Sequence, residues 1–207
     1  MRHGGIEMLA NALELINIRR AKQQDLTGIV DIWLAGVLSG FGISPPPTEN
    51  ALRFFAEKLD LQTEIFGIWV AVREDNIVGW QGLYPCRNNP IEALTVAESS
   101  TYVSPTTRAK GVGRTLLLFA QEHAMRVQLR ELRGNIATTN TASLRLVDSL
   151  GWSKVGTLPR ARNDSLEFFF YAYAVPSDRK CHSRFEPIGT TVDRAQPRQR
   201  AGSSQLS

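Results

Sequence analysis

The chain has 207 residues, 43% of them hydrophobic and 21% charged, which suits a water-soluble globular protein with one good core. No apolar run reaches membrane-spanning length, and two cysteines, Cys86 and Cys181, are too few for a disulfide framework. The net charge of +4 belongs mainly to the end of the chain: everything before Ser177 holds 18 basic and 17 acidic residues, which argues against nucleic-acid binding by the folded part.

Residues 1–15 read as an N-terminal extension. Glu7 and Glu14 interrupt its apolar residues and no cleavage pattern follows, so a signal peptide is rejected. "INIRRA" (16–21) predicts a short strand. Residues 25–40 carry Leu26, Ile29, Val30, Trp33, Leu34, Val37 and Leu38 at helical spacing, with Asp25 as the expected N-cap. "SPPPTEN" is a break, and Thr48 or Asn50 is expected to cap a helix over about 50–60. Residues 65–75 and 77–84 predict a hairpin turning at Asp75-Asn76. After the loop 85–90, residues 93–104 predict a third long strand. A helix over 111–129, a strand over 131–138 and a helix over 140–151 follow. Gly151 is suited to the left-handed position that ends the last helix. Residues 152–158 and 165–173 read as two closing strands. From Pro176 onward the sequence is polar, with Pro, Gly and scattered Arg, and reads as a basic, disordered tail. Residues 16–175 are thus expected to form one α/β domain, with a mixed sheet and helices on both faces.

The stretch "TYVSPTTRAKGVGRTLLLF" (101–119) carries the chemistry. It joins a strand to an apolar helix through a short basic loop with glycines at 111 and 113. The first amides of a helix lack internal partners and its dipole is positive there. Glycines permit close approach, and Arg108, Lys110 and Arg114 add charge, so the expected ligand is a phosphate. "GVGRT" lacks the Gly-Lys-[Ser/Thr] of a P-loop. Leu116 stands where the dinucleotide fingerprint needs its third glycine. What remains is Arg108-Ala-Lys-Gly111-Val-Gly113.

This pattern resembles motif A of the GCN5-related N-acetyltransferase (GNAT) superfamily, which binds the pyrophosphate of acetyl-CoA. The resemblance extends over roughly 16–174 and includes "NTASLRLVDSLGW", similar to the family's Asn-led helix. "ESSTYVSPTTRAKGVGRTLL" is closest in look to the phosphinothricin-type enzymes. It implies a GNAT-type mixed, mostly antiparallel twisted sheet, and direct attack of a small amino-acid-like amine on acetyl-CoA. Glu98 matches the proposed base. Thr101, Tyr102 and Val103 match the strand that pairs with pantetheine, with an oxyanion donor near Val103. Arg108, Ala109, Lys110, Gly111, Val112, Gly113 and Arg114 match the pyrophosphate loop. Asn140 matches the cofactor-contacting asparagine, and is equally suited to helix capping.

The chemistry asks for a base. An alkylamine has a pKa near ~10.4, so freeing it at neutral pH is a problem of roughly 4 kcal/mol, and a carboxylate in reach takes that proton. Glu98 shares a strand face with Ser100 and Tyr102; the alternative is that it pairs with a cation at the core edge. Val147 stands where many relatives carry a proton-donating tyrosine. A thiol pKa near ~8.5 lets thiolate leave without help, and Tyr102, Tyr84 or water are substitutes. Trp33 and Tyr84 are candidates for an amine pocket, and Arg160 and Arg162 for holding a substrate carboxylate. No metal is expected: of three histidines, His3 and His182 lie in the tails, and His123 reads as structural. The setting expected is reducing and cytoplasmic, without membrane or nucleic-acid partners. Many relatives dimerise, so a homodimer is an implied assembly. Three rivals remain: an acetyltransferase acting on a protein or peptide amine, a silent acyl-CoA-binding module, and an interaction protein whose basic tail does the work.

Overall fold

In the computed structural model the described residues are 16–41, 44–86, 90–106, 111–158 and 167–177. They fall in one unit, Met1–Ser177. The expected extension over 1–15 and tail from 178 onward lie outside the described residues.

Seven strands form one sheet in the order β1-β2-β3-β4-β5-β7-β6. They are β1 (Asn17–Arg20), β2 (Gly67–Arg73), β3 (Asn76–Pro85), β4 (Val96–Val103), β5 (Glu131–Ala137), β6 (Ser153–Leu158) and β7 (Phe168–Ala174). Every neighbouring pair is antiparallel except β4 and β5. That parallel pair needs a crossover, supplied by α3 (Val112–Arg126). The other helices are α1 (Leu26–Gly36), α2 (Thr48–Asp60) and α4 (Thr141–Ser149).

Two cores lie on opposite faces. Ile29, Val30 and Ile32 of α1 and Ala51, Phe55 and Leu59 of α2 bury against Ile68, Val70 and Trp80. On the other face Leu117, Ala120 and Ala124 of α3 and Val147 of α4 bury against Leu83, Ala97, Leu132 and Tyr171. Strand alternation explains the division: Trp80 and Leu83 sit an odd number of residues apart on β3 and so point to opposite faces.

Three local expectations are corrected. Asp25 holds the N-cap position of α1, but its side chain makes no capping bond to the helix. It closes a 3₁₀ turn (Gln23–Asp25) ahead of it, accepting the Lys22 N–H at 2.8 Å and a two-pronged bond from Arg19 at 2.7 and 2.9 Å. A buried carboxylate with a guanidinium in reach pairs with it in preference to a helix amide. Neither Thr48 nor Asn50 caps α2, which starts directly after Pro47; Asn50 accepts from Arg53 instead. The hairpin turns one residue early, at Glu74-Asp75, both with positive φ (50° and 63°). That is the primed turn whose twist matches the flanking strands. Gly151 (φ 79°) ends α4 as expected.

Candidate active site

The sheet is incomplete at its centre. β4 pairs with β3 in unbroken register from Ala97 to Val103, yet with β5 only over Val96–Glu98 against Glu131–Arg133. Beyond Glu98 the two parallel strands separate, while β5 stays paired with β7 along its whole length. A split opens between Ser99–Val103 and Gly134–Ala137.

The direction of the β4 peptide groups follows from the ladder. Ser104 N–H bonds to Val78 O and Cys86 N–H to Val96 O. With antiparallel alternation, Glu98, Ser100 and Tyr102 then bond to β3, and Ser99, Thr101 and Val103 turn their N–H and C=O toward the split. Gly134 bears this out from the other side: a Cβ there would lie 3.5 Å from Ser99 O. Thr101 and Val103 therefore offer backbone groups to a guest in the split. The backbone of Tyr102 is engaged by Trp80, and its ring stacks on that indole at 4.8 Å.

At the outer end of the split lies the start of α3. Gly111 is its N-cap, at φ 97°, a conformation open to glycine. The first intrahelical bond runs from Thr115 N to Gly111 O, so the amides of Val112, Gly113 and Arg114 have no helical partner. Gly113 packs tightly: a Cβ would lie 3.3 Å from Leu146 and 3.5 Å from Val103. The first turn holds no acid and carries the exposed Arg114. Helix stability favours the opposite charge there; the Arg114 guanidinium reaches Ser149 Oγ at 3.4 Å. Arg108, Ala109 and Lys110 lie outside the described residues.

Asn140 caps α4, its Oδ1 accepting the Ser143 N–H at 3.1 Å. Its Nδ2 faces Gly40, where a Cβ would lie 3.6 Å away. Gly40 belongs to a π-helical turn, Val37–Phe41, that extends α1. The end of α1 thus meets the head of α4, with α1 held to β4 where Gly36 lies under the Tyr102 ring.

Glu98 stands at the apex of the split. It is exposed, opposite Tyr84 on one side and Arg133 on the other. Arg133 does not pair with it. Its guanidinium is held by Glu92 through two bonds of 2.9 Å and by Glu131 at 2.5 Å. That arrangement holds the Glu92 carboxyl below its usual range. Among the described residues Glu98 has no ion pair. Trp33, Tyr84 and Tyr102 gather in the α1–α2 core on the Glu98 side of the sheet. Burial pushes the Tyr102 phenol up, with the Trp33 indole opposing. Arg160 and Arg162 lie outside the described residues. Val147 is buried in the other core and has no proton to give. The sequence reading missed the Arg133 clamp; the alternating Glu131-Leu-Arg133 is a same-face pair a strand pattern could have flagged.

The family model described as "Acetyltransferase (GNAT) family" matches residues 29–152, and the chain belongs to that family. It is an N-acetyltransferase, with acetyl-CoA as acyl donor. The chain is 29% identical to the L-methionine sulfoximine/L-methionine sulfone acetyltransferase of Salmonella typhimurium, over 70% of this chain and 84% of that one. It is 31% identical to the phosphinothricin N-acetyltransferase of Alcaligenes faecalis, over 68% and 72%. The crystal structure of a ribosomal-protein-alanine N-acetyltransferase from Brucella melitensis superposes with a TM-score of 0.65 at 27% identity, covering 76% of this chain and 99% of that one. No metal-binding cluster and no helix long and apolar enough to cross a membrane occur among the described residues.

Proposed function

We propose that the acceptor is a small amino-acid-like amine, that Glu98 is its base, and that pantetheine lies in the split between β4 and β5. The observation that carries this is a carboxylate with no ion pair among the described residues, at the apex of a split toward which Thr101 and Val103 turn their backbone groups. The relatives named for methionine sulfone and phosphinothricin support the substrate class. In this reading the pyrophosphate rests on the amides of Val112, Gly113 and Arg114, with Arg108, Ala109 and Lys110 completing the loop. Thr101 and Val103 bond to pantetheine through their backbones, and the Asn140 Nδ2 is free to reach the cofactor. The oxyanion falls to a β4 backbone amide that faces the split beyond the last β5 pair, near Val103. The order is ternary complex, proton loss to Glu98, attack on the thioester carbon, then collapse to thiolate and amide. The thiolate leaves without a side-chain acid.

Trp33 and Tyr84 stand on the acceptor side, and Arg160 and Arg162 remain candidates for a substrate carboxylate. We assign residues 16–175 to one acetyltransferase domain, flanked by the extension 1–15 and the basic stretch 176–207. A cytoplasmic setting fits the buried free thiol of Cys86, and a homodimer is the assembly the resemblance supports. A second reading, a protein or peptide amine, has one specific support: a neighbour at 27% identity is a ribosomal-protein-alanine N-acetyltransferase.

The test is thiol release from acetyl-CoA against amino acids, their analogues, polyamines and short peptides, with wild type and Glu98→Gln side by side. Turnover with an amino-acid-like amine, reduced about 10²–10⁴-fold in the variant and partly restored at high pH, is expected. Turnover only with peptides selects the second reading. An unaffected variant removes Glu98 from the mechanism.

A further inference from the structure

Tyr84 folds back along its own strand. A Cβ built on Gly82 falls 2.5 Å from the Tyr84 Oη and 2.6 Å from Cζ, so the phenol lies on the Gly82 backbone and needs a residue without a side chain there. Gly82 is level with Ser100, and Tyr84 with Glu98. The hydroxyl therefore sits one step beyond the apex, on the Glu98 side of the sheet, where β4 has lost β5. It is buried and, among the described residues, has no hydrogen-bond partner, a condition folded proteins rarely leave without a reason. Burial, and the nearby Tyr102, push its pKa far up. It stays protonated at any working pH and is a donor in need of an acceptor, ill suited to acid catalysis. Lys58 of α2 adds positive charge 5.0 Å from its ring centroid, which favours an electron-rich partner.

We propose that the Tyr84 Oη donates a hydrogen bond to an oxygen of the acceptor amine and so sets acceptor specificity. This rests on the reading that the acceptor meets acetyl-CoA beside Glu98. Two oxygens share the required chemistry: a carboxylate on the amine-bearing carbon, and an oxo group on sulfur or phosphorus in the side chain.

The experiment measures acceptor Kd by calorimetry in the dead-end complex with CoA, alongside steady-state kinetics, for wild type and Tyr84→Phe. Three amines are compared: L-methionine sulfone, L-methionine, which lacks the oxo group, and the decarboxylated sulfone amine. Loss of one good hydrogen bond corresponds to about tenfold. Tyr84→Phe should weaken the sulfone by that factor and leave unchanged whichever amine lacks the contacted oxygen. Heat protection by acetyl-CoA should be the same in both proteins. Gly82→Ala, which keeps the phenol but displaces it, should show the same loss of discrimination. Equal Kd for all three amines in both proteins overturns the proposal, as does a fall in kcat with Kd unchanged, which would make Tyr84 an acid. Binding in the CoA complex needs no turnover. A wild type that binds the sulfone but acetylates none of the amines overturns the small-amine reading and leaves the Tyr84 comparison readable. A wild type that binds none of the three overturns the donor assignment.

Discussion

The two sides of β4 are built to opposite ends. Toward β3 its register is continuous from Ala97 to Val103, reinforced by the buried Gln81, which donates to Ser99 Oγ and accepts from Thr101 Oγ1. Toward β5 pairing stops after Glu98. Backbone groups that a complete sheet would satisfy are left for a guest, and the helix that crosses over between β4 and β5 begins at the mouth of the same split. In the proposed reading one side of the strand serves stability and the other binding. Changes on the two sides should therefore separate the two properties.

The largest separation is expected at the mouth. Arg114→Glu places a negative charge where the helix dipole prefers one, so the protein without ligand should melt at the same temperature or slightly higher. The same change puts like charge beside the pyrophosphate, and acetyl-CoA affinity should fall about 100-fold, read by calorimetry. A variant that loses stability in step with affinity would break the division.

On the closed side the pattern should invert. Thr101→Val keeps shape but leaves the Gln81 oxygen, fully buried, without its donor. The cost should be about 1–2 kcal/mol, a fall in Tm of several degrees. Acetyl-CoA affinity should stay within about threefold, because Thr101 faces the split with its backbone alone. A larger loss of affinity would mean that the hydroxyl, and not the peptide group, serves the cofactor.

Element order was legible in the sequence because hydrophobic period and turn residues report local structure. The glycine start of α3 was legible because Gly111 and Gly113 follow closely on a β-prone run and open an apolar helical pattern. The separation of β4 from β5 was not. Nothing in "ESSTYV" or "GNIA" differs from paired strands, since whether a peptide group finds a partner depends on the neighbouring strand. The Asp25 side chain turns away from its helix for a related reason: Arg19 is six residues away in sequence, but β1 and the 3₁₀ turn bring it within 2.7 Å. Arg133 likewise meets Glu92 across 41 residues.

The smallest expected effect lies away from the split, in His123 of α3. Its Nδ1 accepts from Arg126 at 2.8 Å, which fixes the proton on Nε2, and that N–H donates to Ile65 O at 2.9 Å. The ring also contacts Trp69 at 4.5 Å. Burial holds its pKa below the ordinary value, with the charges of Arg126 and Arg20 acting the same way and the Ile65 carbonyl opposing. In the unfolded chain the imidazole takes up a proton near pH ~6.5. In the folded state it resists, so the unfolded state binds more protons as pH falls below that value, and stability drops with it. Above pH 7 both states are neutral and the effect vanishes. Wild type should lose more Tm between pH 7.5 and 5.5 than His123→Gln, which cannot titrate, and acetyl-CoA affinity at pH 7.5 should be alike in the two. Parallel melting curves across that window would mean that His123 accepts its proton in the fold, with Arg126 moving aside, and that this end of α3 is looser than its packing implies.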